Sequence, residues 1–241
     1  MKGIILAGGL GSSLYPLTYA TNKHLLPVYN KPMIYYPIKT LVDAGIDEIL
    51  IVVGGPHAGD FINVLQNGKE FGIKHLEYAF QDNEGGIPAA LALAEDFSDG
   101  QSVAVILGDN TTDAKIKPVI KEFQSGAHLF LKKVPDPERY GIPIFGDDGK
   151  TIIGTVEKPK NAKNSNAITG LYLFDSEVFD IIRTLKPSDR GELEVTDIHN
   201  TYIKKDNLNW SVLKGFWTDA GKFETLFLAN QFWAEKIQKS K

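Results

Sequence analysis

Five short apolar runs rich in β-branched residues punctuate the first half of the chain, at 3–7, 48–53, 76–81, 103–107 and 128–134. Each is too short for a buried helix, and each reads as a strand. Between them, 33–44, 60–69, 89–97 and 115–125 carry apolar residues at helical spacing. A chain that alternates strand and helix makes right-handed crossovers and lays its strands parallel. The pattern therefore predicts an α/β fold: a Rossmann-like, mostly parallel mixed sheet flanked by helices. Beyond residue 134 the pattern changes. Residues 144–153 read as a hairpin around a Gly/Asp turn, 171–174 and 210–213 as strands, and 176–185, 192–203 and 223–237 as helices. No repeat, biased segment or Pro/Gly/Ser linker marks a boundary, so residues 1–241 are expected to form a single domain.

Composition narrows the function. There is no cysteine, which excludes disulfides, thiolate catalysis, zinc fingers and iron–sulfur clusters. With 26 Lys and Arg against 30 Asp and Glu the net charge is −4, a poor balance for a nucleic-acid binder. The longest apolar runs, such as 103–107, fall far short of the roughly 18 residues of a membrane span. The apolar stretch at the start is also too short for a signal peptide. A cytoplasmic protein without nucleic-acid or membrane partners is expected.

A glycine loop, Gly8-Gly9-Leu10-Gly11-Ser12-Ser13-Leu14, follows the first strand directly. Glycines let backbone N–H groups approach a phosphate, and ligands of parallel sheets bind at the carboxyl ends of strands. The dinucleotide fingerprint fails because Leu14 stands where its third glycine belongs, and no Gly-Lys-Ser/Thr follows for a P-loop. Charge says more. Lys2, Lys23, Lys31 and Lys39 precede the first acidic residue, Asp43, which suggests an anion site beside the loop. By themselves Asp109, at the end of 103–107, and Asp219, ahead of the last helix, read first as a turn residue and a helix cap.

Several motifs add to this reading in order along the chain. They are Leu6-Ala7-Gly8-Gly9-Leu10-Gly11, Asn22-Lys23-His24-Leu25-Leu26-Pro27, Leu107-Gly108-Asp109-Asn110, Tyr140-Gly141, Glu157-Lys158-Pro159, Thr169-Gly170-Leu171-Tyr172, Arg190-Gly191-Glu192-Leu193 and Trp217-Thr218-Asp219-Ala220-Gly221. Together they resemble the sugar-1-phosphate nucleotidylyltransferases over nearly the whole chain, most closely the branch that joins dTTP to glucose 1-phosphate. The resemblance implies the nucleotide-diphospho-sugar transferase type of fold and an enzyme that releases pyrophosphate. It also implies a nucleoside triphosphate and a sugar 1-phosphate as partners, Mg²⁺ as cofactor, and a homo-oligomer.

The resemblance also implies roles for individual residues. Asp109 and Asp219 would hold the metal, a hard cation that prefers oxygen ligands. Lys23 would neutralise the triphosphate, and Leu6, Gly8, Gly9, Gly11, His24, Gln81 and Gly86 would complete the nucleotide pocket. Gln81, which can donate and accept at once, suits a pyrimidine edge. Asn110, Tyr140, Gly141, Glu157, Lys158, Ile168, Tyr172 and Arg190 would bind the sugar phosphate. Catalysis would fall to Lys23, Lys158 and Asp109 with position 13.

The chain also departs from the pattern. Ser13 stands where the family carries an arginine that braces the reacting phosphates, Lys222 where a threonine is usual, and Pro88 and Ala89 where a small residue and a glutamine are common. These departures keep two alternatives open: a different nucleotide or sugar, or a catalytically weak binder of nucleotide sugars.

Overall fold

The computed structural model describes residues 1–239. Strand β1 (Lys2–Ala7) leads into the glycine loop and a small β2 (Pro27–Val28) and β3 (Lys31–Pro32) pair. Next come α1 (Tyr35–Asp43), β4 (Glu48–Gly54), α2 (Ala58–Leu65), β5 (His75–Gln81), α3 (Ile87–Ala92), α4 (Glu95–Ser98) and β6 (Val103–Leu107). They are followed by β7 (Asn110–Thr112), α5 (Lys117–Glu122), β8 (Ala127–Lys133), and the hairpin of β9 (Ile142–Phe145) and β10 (Ile152–Val156). The chain continues through β11 (Asn166–Phe174), α6 (Glu177–Thr184), α7 (Val195–Lys204), β12 (Leu208–Val212), β13 (Trp217–Asp219) and α8 (Phe223–Gln238).

Seven of these strands form one sheet in the order β12-β8-β11-β6-β1-β4-β5. Every neighbouring pair is parallel except those of β11, which runs antiparallel to both β6 and β8. This is the mixed, mostly parallel sheet that the strand–helix alternation predicts. Both faces are covered, as a parallel sheet requires. Along β1, Ile4 and Leu6 pack on one side with Leu50, Val105, Leu91 and Ile198, while Ile5 and Ala7 pack on the other with Ile38, Leu41 and Phe61. A third apolar cluster joins Leu14, Leu26 and Tyr36 to Ala229, Leu226 and Trp233 of α8. It fastens the loop after β1 to the segment that carries Asp219.

Element boundaries differ from the sequence reading where backbone chemistry intervenes. The stretch 89–97 is two short helices, α3 and α4, and α3 begins at Ile87 because Pro88 favours a helix's first turn. The helix predicted from 192 starts at Val195, since Glu194 ahead of it is extended. The helix at 115–125 shrinks to α5, with Pro118 at its start. The hairpin forms as predicted, with Asp148 accepting from the Lys150 and Thr151 N–H groups in its turn. The short β7/β13 pair was not foreseen: three residues each, it zips Asn110 to Asp219.

Candidate active site

The carboxyl ends of β6, β1, β4 and β5 lie along one edge of the sheet in that order, and the loops leaving β1, β5 and β6 meet over it. Two cavities open there. The first, about 280 Å³, is lined by Leu6, Gly8, Gly9, His24, Gln81 and Gly86 together with Glu84 and Arg190. The second, about 500 Å³, is lined by Ser13, Asn110, Tyr140, Gly141, Ile168 and Tyr172 together with Asp219 and Lys222. Lys23, Asp109, Glu157 and Lys158 border both. The residues expected to bind a nucleotide thus cluster on one side and those expected to bind a sugar phosphate on the other, with these four charged residues at the junction.

Two expected residues sit differently. Gly11 lines neither cavity; its φ of 73° and its carbonyl, which accepts from Thr18 Oγ1 at 2.8 Å, shape the loop instead. A Cβ at Gly11 would come within 2.8 Å of Lys23 Cβ, so the glycine lets the lysine segment pack close. Arg190, expected beside the sugar phosphate, borders the first cavity and pairs with Glu194 at 3.0 Å.

At the junction Lys23 Nζ donates to Asp109 Oδ2 at 2.7 Å, and Asn110 Nδ2 donates to Oδ1 at 3.0 Å. Burial works to raise the Asp109 carboxyl, but Lys23 with these hydrogen bonds holds it down to about 2. Asp219 is not a helix cap: it ends β13 and accepts from Tyr140 Oη at 2.7 Å and from Arg139 Nη2 at 2.9 Å. Burial, and then the charge of Asp109, push its carboxyl above the usual range. The two carboxylates converge. A Cβ on Gly221 would lie 3.1 Å from Asp109 Oδ2, 3.5 Å from Asp219 Oδ2 and 4.0 Å from Lys23 Nζ, so the bare glycine leaves a small cradle between three charged groups.

Other residues hold the walls in place. Asn110 Oδ1 accepts from the Gly170 N–H at 3.1 Å and from Trp217 Nε1 at 2.7 Å, which spends its side chain on structure. Buried His24 is held to Asn22 Oδ1 at 2.7 Å, and burial followed by the Lys23 charge lowers it to about 3, so it stays neutral. Gly86 has a φ of 88°, and a Cβ there would lie 2.1 Å from the Leu193 carbonyl. The Leu193 N–H donates to the Gly85 carbonyl at 3.0 Å, tying the turn at 85–86 to the 192–194 segment. Lys158 has a φ of 40°, a rarely populated conformation for a side-chain-bearing residue, and stands 3.8 Å from Glu157. Burial raises the Glu157 carboxyl.

Sequence reasoning missed Arg139. Its guanidinium bridges Asp136 at 2.7 Å and Asp219 at 2.9 Å, inside the second cavity. Its place within the Asp136-Pro137-Glu138-Arg139-Tyr140-Gly141 stretch, which shares the family resemblance, was the available signal. Among the described residues no group of three or more His, Asp or Glu gathers as a metal cluster.

A carboxylate pair, the cations Lys23 and Lys158 and a glycine loop meet on the edge of this sheet, the kind of arrangement that phosphoryl transfer between two anions calls for. The family profile for nucleotidyl transferases matches residues 2–236, and the chain belongs to that family. It is 41% identical over 238 residues to a glucose-1-phosphate thymidylyltransferase of Neisseria gonorrhoeae, covering 96% of this chain and 82% of the relative. It is 40% identical over 226 residues to the enzyme of that name from an Actinoplanes species, covering 92% and 74%. A Bacillus anthracis protein provisionally assigned as a glucose-1-phosphate thymidylyltransferase, solved with a sucrose, superposes with a TM-score of 0.91 at 48% identity over 96% of this chain and 94% of its own.

Proposed function

We propose that this chain joins dTTP to α-D-glucose 1-phosphate, giving dTDP-glucose and pyrophosphate. The observation that carries the reading is the pair of cavities that meet at Lys23, Asp109, Glu157 and Lys158, one walled by glycines with Gln81, the other lined by tyrosines, Arg139 and Asp219. The relatives named above support the choice of substrates.

The attacking sugar phosphate is already ionised, so the site has to align two anions rather than remove a proton. Lys23 meets the triphosphate from the glycine-loop side, and Lys158 meets the sugar phosphate across the junction. Glu157 accepts hydrogen bonds from sugar hydroxyls, and Gln81, beside Gly8, presents an amide to the base. The donor set around the Gly221 cradle fits Mg²⁺, which commonly takes one or two carboxylates and completes its shell with phosphates and water. Bound there, Mg²⁺ would supply charge neutralisation at the phosphates. Residues 1–241 act as one unit in this reading, since β11 and β8 of the second half pair into the sheet of the first. A cytoplasmic location agrees with substrates of this kind.

The test is pyrophosphate release measured over a grid of nucleoside triphosphates and hexose 1-phosphates. The reading expects dTTP with glucose 1-phosphate to give the highest kcat/KM and UTP to be slower. A purine nucleotide as the best substrate would overturn it.

A further inference from the structure

We propose that His199 is a specificity-determining residue of the sugar half of the site, where its imidazole hydrogen bonds a hydroxyl of the hexose ring, directly or across one water. The inference rests on reading the second cavity as the hexose 1-phosphate pocket.

His199 lies on α7 and is fully buried, yet neither ring nitrogen has a hydrogen-bond partner among the described residues. Buried polar atoms are nearly always satisfied, so one residue with two orphaned atoms needs an explanation. Packing alone does not supply it. The ring lies against Tyr172 at 5.3 Å and Phe174 at 6.1 Å between centroids, a niche that phenylalanine would fill without orphaning anything.

The location supplies the explanation. His199 borders the 500 Å³ cavity with Tyr172, Gly141 and Thr196, and because its ring has no exposed surface here, a hydroxyl or water reaches it only as that wall adjusts to the sugar. Thr196 is three residues earlier on α7, so the two side chains share one face of that helix. A Cβ on Gly141 would come within 3.1 Å of Thr196 Cγ2 and 3.2 Å of Glu157 Oε2, so the glycine keeps the space above this floor open. Burial holds the imidazole down to about 3. It therefore stays neutral at working pH, with one nitrogen donating and the other accepting. That is the pairing a hydroxyl offers in return. A positive charge at this depth would instead favour the phosphate, which already has Lys158.

The proposal is tested by steady-state kinetics with glucose 1-phosphate and its monodeoxy and epimeric analogues, on wild type, His199→Phe and His199→Gln. Circular dichroism and dTTP binding without sugar check the fold and the nucleotide half. His199→Phe is expected to raise KM for glucose 1-phosphate about tenfold or more while leaving dTTP affinity within twofold. It should also abolish the discrimination against one particular deoxy analogue, the one lacking the hydroxyl that His199 reads. His199→Gln, which restores a donor and an acceptor, should recover part of the loss. If His199→Phe fails to fold, His199→Leu takes the same measurements. An apolar variant that keeps the KM and the analogue ratios of wild type overturns the proposal and leaves the proposed reaction standing. A wild-type protein that turns over no hexose 1-phosphate overturns both.

Discussion

Arg139 Nη2 donates to Asp219 Oδ2 at 2.9 Å, while the neighbouring Tyr140 hydroxyl donates to Oδ1 at 2.7 Å. Consecutive residues thus hold both oxygens of one partly buried carboxylate. Arg139 also stacks over the Tyr140 ring, with 5.1 Å from its guanidinium carbon to the ring centroid. Arg139→Gln is expected to lower kcat by about 10²-fold, the typical size of one lost electrostatic contact in a phosphoryl-transfer site. Arg139→Lys, which keeps the charge but not the fork, should fall between. Rapid-quench or steady-state pyrophosphate release checks both. A Gln variant at wild-type rate would mean that Asp219 needs no such brace.

Asp109 and Asp219 are expected to be needed for turnover and dispensable for folding. Asp109→Asn keeps the shape but loses the charge that Lys23 faces at 2.7 Å. Each Asn variant should lose at least about 10²-fold in kcat, and a chelator should silence the wild type until Mg²⁺ is restored. Far-ultraviolet circular dichroism should be unchanged. Either variant running at wild-type rate under limiting Mg²⁺ would remove that residue from the metal site.

Gly86→Ala probes the turn that closes the first cavity. The added Cβ would meet the Leu193 carbonyl at 2.1 Å from a backbone at φ 88°, and both partners are main chain. Strain of this sort costs about 1–3 kcal/mol, or roughly 2–10 °C in Tm for a chain of this size. Differential scanning calorimetry reads the stability. KM for the nucleotide should rise while KM for the sugar phosphate holds, because Gly86 borders only the nucleotide side.

The parts of this molecule that were legible in the sequence are those with local signals. Strand β6 is a compact β-branched run, and Asp109 two residues past its end is visible as a carboxylate at a strand terminus. The glycine loop announces itself by composition. Arg139 and Asp219 are 80 positions apart and are joined only by the fold, so no spacing rule could pair them. His199 sits at helical spacing among apolar residues of α7, where a core histidine and a cavity-facing one look alike. The β7/β13 pair is too short to show an alternation. Long-range placement, rather than chemistry, was what the sequence withheld.

His128 gives the fold a pH dependence with a definite sign. On β8 it touches the Phe130 ring and lies 2.9 Å from Ser211 Oγ, and burial alone lowers its pKa from 6.5 to about 4. Between those values the unfolded chain binds the proton and the folded chain does not. Stability is therefore full above pH 6.5 and declines as the pH falls toward 4. The shift corresponds to at most about 3 kcal/mol at 1.36 kcal/mol per unit, and nearer 2 after allowing for solvent at this partly exposed position. Urea titrations at pH 7, 6 and 5 should show the loss, and His128→Gln should make it shallower, the remainder coming from His24 and His199, which burial also lowers. An identical slope in the variant would assign the dependence to other groups.

Ser13 and Lys222 border the same cavity, which also holds Asp109, Asp219 and Arg139. A serine hydroxyl supplies no cation where phosphate charge crowds between nucleophile and leaving group. Lys222 brings one to the wall of this cavity, and among the described residues no carboxylate is paired with its ammonium within 4.0 Å. It stands at the start of α8, just after the Gly221 cradle. Only contacts that strengthen in the transition state raise turnover, so its removal should show in kcat rather than KM. Lys222→Ala is expected to lower kcat about tenfold or more, with KM values within threefold. If the two positions serve one electrostatic role, Ser13→Arg in the Lys222→Ala background should recover most of that loss, while Ser13→Arg alone should gain little. A large gain from Ser13→Arg alone, with Lys222→Ala neutral, would mean that the cavity is short of one positive charge and that Lys222 does not provide it.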